Sequence, residues 1–151
     1  MPAAGSTSGG AARWRDTARS ILAAVDARRC PCGSLESLDA CCGRYLGDDG
    51  AAPPTAEALM RSRYTAFVRG DVDHLLRTWH PDTRPAALEP DPGVRWTGLE
   101  VLDRVDGGLF DAEGVVEFRA HHRDGVQHER SRFVREAGRW LYVDGVVGTQ
   151  G

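Results

Sequence analysis

The sequence predicts an α+β domain, helices packed on one face of a curved antiparallel sheet, preceded by a small metal-binding knuckle. Three observations predict it. All four cysteines fall within one short stretch, Cys30 to Cys42, CPCGSLESLDACC. Two segments of helical period follow, and from Trp96 onward the apolar period becomes that of strands.

A chain of 151 residues accommodates one main domain with an appendage. The expected order is an N-terminal extension over 1–29, the knuckle over 30–46 and the main domain over 53–148. The first ten residues, MPAAGSTSGG, read as flexible. After them Trp14, Ala18, Ile21, Leu22 and Val25 fall at helical spacing, predicting a short amphipathic helix over 13–28. Its apolar centre is too short for a secretory signal, and no apolar run approaches a membrane span, so the expectation is a protein of the reducing cytoplasm with no membrane partner.

The formal charge of -3, from 19 basic and 22 acidic residues, is too balanced to advertise a nucleic-acid surface. Glu36, Asp39, Asp48 and Asp49 around the knuckle have the wrong sign for phosphate. The 19 basic residues are all arginine, which excludes Schiff-base and phosphate-loop lysine chemistry.

A disulfide framework would spread its cysteines to close large loops, whereas every loop available here is tiny. A tetrahedral ion has no such difficulty, because two short thiolate pairs separated by a turn can wrap around it. Cys30, Cys32, Cys41 and Cys42 are therefore the candidate ligands of one structural Zn2+, with iron-sulfur, redox-dithiol and disulfide readings as alternatives. All four positions would be filled by protein, leaving none for a reactive water. Gly33 and Ser34 supply the tight turn, and Leu35 and Leu38 offer an apolar face for packing on the main domain.

Past a linker of composition GDDG and Pro53-Pro54, Thr55 is placed to cap a helix with Glu57 in its first turn. Met60, Tyr64, Phe67 and Val68 make its apolar stripe, and Gly70 ends it. Arg63 lies at the stripe's edge and points inward, where a charge needs a partner or a ligand. Asp71 caps a second helix with Val72, Leu75, Leu76 and Trp79 buried, Asp73 and Arg77 paired on its surface, His74 outside, and Pro81 closing it. His80, just before Pro81, reads as part of the helix stop.

In the strand region Asp124-Gly125 signals a two-residue hairpin. That turn sets Phe118 opposite Ser131, Val116 opposite Phe133 and Ala120 opposite Glu129 on the inward face, and His121 opposite His128 on the outer face. A second turn at Ala137-Gly138 adds Trp140, Tyr142 and Asp144 to the inward face, with Asp144 opposite Ser131. A one-residue slip would reverse these faces. A concave sheet under helices leaves room for an apolar pocket. The candidate pocket residues are Arg63, Tyr64, Glu129, Ser131, Tyr142 and Asp144.

Two resemblances add to this reading. CPCGS and CCG, separated as they are here, resemble the zinc motif found at the C-terminus of the SecA translocation ATPase and in stand-alone bacterial proteins. Glu36 and Asp39 stand where that motif often carries a lysine-rich centre, which argues against docking on an acidic chaperone. The helix pair and the late Gly-x-Trp strand resemble the cone of nuclear transport factor 2-like proteins. CPCGS with CCG, TAEALMRSRYTAF, LLRTWHPDTRP and HERSRFVREAGRWLYVDG together are similar to the YchJ family from Cys30 to Gly145. This chain departs from it in a long N-terminal extension and a short Asp-Gly hairpin. The resemblance implies a zinc motif joined to a nuclear transport factor 2-like domain, and no particular reaction.

The function expected first is a binding or adaptor protein, its cone holding a small molecule or a second copy as a homodimer. An unknown protein partner at the knuckle is the other form of that reading. The alternative is an isomerase or hydratase, with Glu129 or Asp144 as base, Tyr64 or Tyr142 as proton donor and Arg63 on an oxyanion. Against chemistry, Arg63 with Glu129 or Asp144 reads first as a buried structural ion pair. No catalytic residue is assigned. Ser131 has no histidine beside it, which sets a hydrolase triad aside. His121 and His128 read as solvated, with half of a second metal site as the alternative.

Overall fold

The computed structural model describes residues 28–148. Residues 13–27 of the expected N-terminal helix, and the ten residues read as flexible, lie outside that range.

Helix α1 (Ala56–Arg69) starts and stops on local signals. The Thr55 hydroxyl accepts the Ala58 N–H at 3.1 Å, and Gly70 ends the helix at φ 71, a left-handed backbone that favours glycine. Its buried arc is wider than one stripe. Leu59, Met60, Tyr64 and Ala66 are buried together with Ser62, Arg63 and Thr65, because the knuckle covers one side and the sheet the other. Val68, expected in the stripe, is 38% exposed, since that arc is rotated toward Leu59 and Ser62.

Helix α2 (Val72–Arg77) is capped by Asp71, whose Oδ1 accepts the His74 N–H at 3.1 Å. It ends at Thr78, before Pro81, where the Thr78 hydroxyl donates to the His74 carbonyl at 2.7 Å. The chain then pairs with the last strand: His80 N–H donates to the Tyr142 carbonyl at 2.7 Å and Tyr142 N–H to that of Thr78 at 2.8 Å. Arg77 does not pair with Asp73. It reaches back to the linker, to the Gly47 carbonyl at 3.1 Å and Asp48 at 3.7 Å.

Four strands, β1 (Trp96–Asp106), β2 (Glu113–His122), β3 (Gly125–Glu136) and β4 (Arg139–Val147), form one antiparallel sheet in chain order. Register shifts in β1 and between Arg132 and Phe133 in β3 bend it, as bulges do. The β2–β3 turn is Arg123-Asp124, two positions from the expected register, with His122 opposite Gly125. Left-handed φ values in the sheet's turns occur at Asp106, Gly107, Ala137 and Gly138, not at Asp124 or Gly125. Val116 therefore meets Ser131, Phe118 meets Glu129 and Ala120 meets Gln127. An even shift preserves the faces, so the inward residues stay inward while every cross-strand partner changes.

At the β3–β4 pair the bulge has a larger effect. Phe133 faces Tyr142, but Arg132 then faces Asp144 and Ser131 faces Gly145 rather than Asp144. One extra residue, Val143, turns Asp144 to the outer face. The outer face of the sheet is polar and cross-linked: Arg132 Nε and its NH2 group each donate to Asp144 at 2.7 Å, and Arg130 pairs with Glu117 at 2.8 Å and Asp103 at 3.1 Å. His128 and His121 are bound separately, to Glu117 at 2.8 Å and Glu100 at 3.3 Å, which answers the expectation of a facing histidine pair.

His74, expected on the surface, is buried at 1% exposure because α2 is covered by α1 on one side and Arg77 is tied to the linker beside it. Its tautomer follows from its neighbours. The Ser62 hydroxyl donates to the Leu59 carbonyl at 2.7 Å, so His74 Nε2–H donates to Ser62 Oγ at 2.9 Å, and Nδ1 accepts from Arg77 at 3.3 Å. Burial, reinforced by Arg77, pushes its pKa down from 6.5 to about 4. Because the folded value lies below the unfolded one, the unfolded chain takes up the proton first. Stability is then full above about pH 6.5 and falls by about 3 kcal/mol as the pH drops through the folded value. Urea unfolding at pH 7 and pH 4.5 should show a shallower acid loss in His74→Gln than in the native chain; equal losses would refute this assignment.

Candidate functional site

The knuckle brings all four cysteines to one point. Gly33 at φ 85 turns the chain after Cys32, and its N–H donates to the Cys30 carbonyl at 3.3 Å. The Cys41 and Gly43 N–H groups converge on the Leu38 carbonyl at 3.1 and 2.7 Å, and a Cβ at Gly43 would lie 2.6 Å from that oxygen. Only glycine fits there. None of the four thiols is in a disulfide, and the four sulfurs lie within 4.8 Å of one another. Cys32 and Cys41 Sγ are 3.6 Å apart, against roughly 3.8 Å for the edge of a tetrahedron with 2.3 Å metal–sulfur bonds. The residues fit one tetrahedral cation.

Its surroundings are equally ordered. The Ser34 hydroxyl donates to Cys41 Sγ at 3.1 Å, Thr65 Oγ1 lies 3.6 Å from Cys30 Sγ, and Arg61 donates to the Cys32 carbonyl at 2.9 Å while holding Glu57. Hydrogen bonds with the Cys30 and Cys42 thiols hold Cys32 well below the usual thiol range. Cys42 is pushed above that range by its hydrogen bonds with Cys30 and Cys32, and Cys41 by burial. A divalent ion is what would let all four ionise together. Leu38 packs on the core, whereas Leu35, at φ 70 in the turn, is 76% exposed and makes no apolar face with it.

Between α1 and the concave face of the sheet lies a cavity of about 270 Å³. Arg63, Tyr64, Glu129, Ser131 and Tyr142 all line it, with Phe67, Trp96, Phe118 and Phe133 among its apolar walls. Asp144 does not, since the bulge at Val143 places it against Arg132 on the outer face. Arg63 is 6% exposed. Its NH1 group donates to the Leu75 carbonyl and to Thr78 Oγ1, both at 2.7 Å, and its guanidinium carbon lies 4.5 Å from the Tyr142 ring centre and 5.1 Å from that of Trp79.

The expected Arg63 ion pair is not formed. Asp144 has turned away, and the Glu129 carboxylate is engaged by other donors: Ser131 Oγ at 2.8 Å and the Tyr142 hydroxyl at 2.9 Å on Oε1, and Gln127 at 3.3 Å on Oε2. Burial pushes Arg63 down to about 10 and Tyr64 up to about 12, while burial and Glu129 push Tyr142 higher still. His80 stays outside the cavity, its Nε2 2.9 Å from Glu136.

Three contributors escaped the sequence reading. Gln127 shares the strand parity of Glu129 and Ser131, which could have found it. Gly145 leaves room for the Glu129 side chain, since a Cβ there would collide with Oε1. Trp79, expected only as a core residue, lines the cavity, and its buried Nε1–H has no hydrogen-bond partner among the described residues.

Known proteins match this arrangement. Residues 55–145 match the family model described as the middle nuclear transport factor 2-like domain of YchJ. A UPF0225 protein of Streptomyces coelicolor is 64% identical over 116 residues, covering 77% of this chain and 93% of that protein. One from Chromobacterium violaceum is 58% identical over 125 residues, 78% and 92% of the two chains. Among solved structures, a SEC-C motif containing protein from Rhodopseudomonas palustris superposes with a TM-score of 0.68 at 34% identity, covering 80% of this chain and 98% of that one. A second, from Psychrobacter arcticus, gives 0.63 at 29% identity, covering 81% and 84%. The cysteine cluster, the cone behind it and these matches together make this chain a member of the YchJ (UPF0225) family, carrying a SEC-C motif ahead of its nuclear transport factor 2-like domain.

Proposed function

We propose that this protein binds a small organic molecule in its cone, and that Cys30, Cys32, Cys41 and Cys42 hold one structural Zn2+ that fixes the knuckle against α1. Four thiolates at tetrahedral spacing favour zinc, which when bound would supply folding energy and no reactive position. Such a site suits a reducing cytoplasm.

One observation carries the binding reading. Two of the inward sheet positions that line the cavity, Ala120 and Ser131, carry small side chains, while aromatic rings stand around them. Large side chains at those places would fill the cone; small ones keep it open. The cavity, about 270 Å³, lies just below the roughly 300 to 1,000 Å³ of small-molecule sites, which suits a small ligand. A second copy is a less apt occupant, because the outer face carries cross-strand ion pairs. The isomerase or hydratase reading loses Asp144 as a base, and Glu129 already accepts from Ser131, Tyr142 and Gln127.

Titration with an apolar fluorescent probe, anilinonaphthalene sulfonate, tests the pocket. The native chain should take up one probe, and Ala120→Phe, which places a ring in the cavity, should take up little. Equal uptake by both would reject the pocket.

A further inference from the structure

The polar groups of the cavity are unevenly satisfied. A guanidinium has five N–H donors. Arg63 directs NH1 to Leu75 and Thr78, and no acceptor among the described residues meets its Nε or NH2. A buried cation without a directly bonded anion is costly, and aromatic faces and the more distant Glu129 supply only part of the compensation. Beside it, with its ring centre 5.1 Å from the guanidinium carbon, is Trp79, whose buried Nε1–H is also unpartnered. Both side chains line the same cavity. This is a donor-rich wall without an acceptor.

Glu129 supplies the opposite character. A carboxylate has about four acceptor positions. Ser131 and Tyr142 occupy Oε1 and Gln127 one position on Oε2, leaving one on Oε2. The Tyr142 ring touches both polar groups, and the remaining walls are largely aromatic, among them Phe67, Trp96, Phe118 and Phe133. The lining thus carries one cation and one anion, each at its own place.

Resting on the binding function above, we propose that the cone selects a single-ring organic acid. Its carboxylate is held by Arg63 and the Trp79 indole N–H, and a hydroxyl or amino group at its other end donates to Glu129. Charged hydrogen bonds in a largely apolar cavity favour such a ligand over its neutral analogue by roughly tenfold or more.

The test uses the zinc-loaded full chain and three probes: 4-hydroxyphenylacetate, phenylacetate lacking the hydroxyl, and 4-methylphenol lacking the carboxylate. Affinities come from calorimetry, and the indole N–H resonances report the site. The acid with the hydroxyl should bind best, about tenfold or more over 4-methylphenol, and should shift the Trp79 Nε1–H signal. Trp79→Phe, which removes that donor and keeps a ring, should weaken the acid several-fold and 4-methylphenol distinctly less. If 4-methylphenol binds as tightly as the acid, the cone binds ligands but the selection proposed here is wrong. If no probe moves a resonance of the cavity, both this inference and the binding function fall.

Discussion

A Cys32→Ser chain is expected to lose the fold of the cone as well as that of the knuckle. Cys32 is fully buried, and Cys30, Cys32 and Cys42 belong to the same buried cluster as Leu59, Met60, Tyr64 and Trp140. The cysteine cluster is thus part of the main core. Contacts cross the boundary in both directions: Thr65 on α1 lies against Cys30 Sγ, and Arg61 holds the Cys32 carbonyl. Structural zinc contributes about 10 to 16 kcal/mol in short peptides, comparable with the roughly 5 to 15 kcal/mol that stabilises an ordinary domain. Removing one ligand leaves three thiols crowded without a cation beneath α1. Circular dichroism and amide spectra of the variant should show loss of the sheet, and chelation of the native chain should do the same. An unchanged sheet spectrum for residues 96–147 would show that the cone stands alone. Cys41→Ser should cost less, because Cys41 is only partly buried.

Trp140→Ala should be the most damaging change in the sheet. Trp140 is 2% exposed and is the largest of the fully buried side chains. Its Nε1–H donates to the Pro54 carbonyl at 3.2 Å, joining β4 to the start of α1, and Arg135 lies 5.7 Å over its ring. Emptying that place costs about 3 to 5 kcal/mol, roughly a fifth or more of the 5 to 15 kcal/mol that stabilises a typical domain. Trp140→Phe keeps most of the packing and should lose distinctly less. Urea midpoints of the two variants measure the difference; equal midpoints would contradict this role.

What could be read from the sequence was what local chemistry determines. Thr55 and Gly70 bound α1, and Asp71 starts α2, because a cap is settled within four residues. The thiol cluster was legible because two short cysteine pairs leave few geometries. The inward parity of Glu129, Ser131 and Tyr142 survived a wrong hairpin turn because the error was even. Asp144 was misplaced because a bulge at Val143 has no signature of its own and follows from how the bent sheet meets α2 and Trp79. The burial of His74 was hidden for a related reason. It depends on the linker near Gly47 docking beside α2, a contact between residues 30 positions apart. The absence of an Arg63 ion pair was hidden because each carboxylate near it had first to be assigned to another partner.

The central claim is that four thiolates hold one zinc ion on which the packing of knuckle and cone depends. Its most direct test is a metal and thiol count on the natively purified chain, by elemental mass spectrometry and by thiol titration before and after chelation. The prediction is one zinc per chain and four thiols that react only once the metal has been withdrawn. A folded chain that carries no metal, with all its cysteines freely reactive, would contradict it.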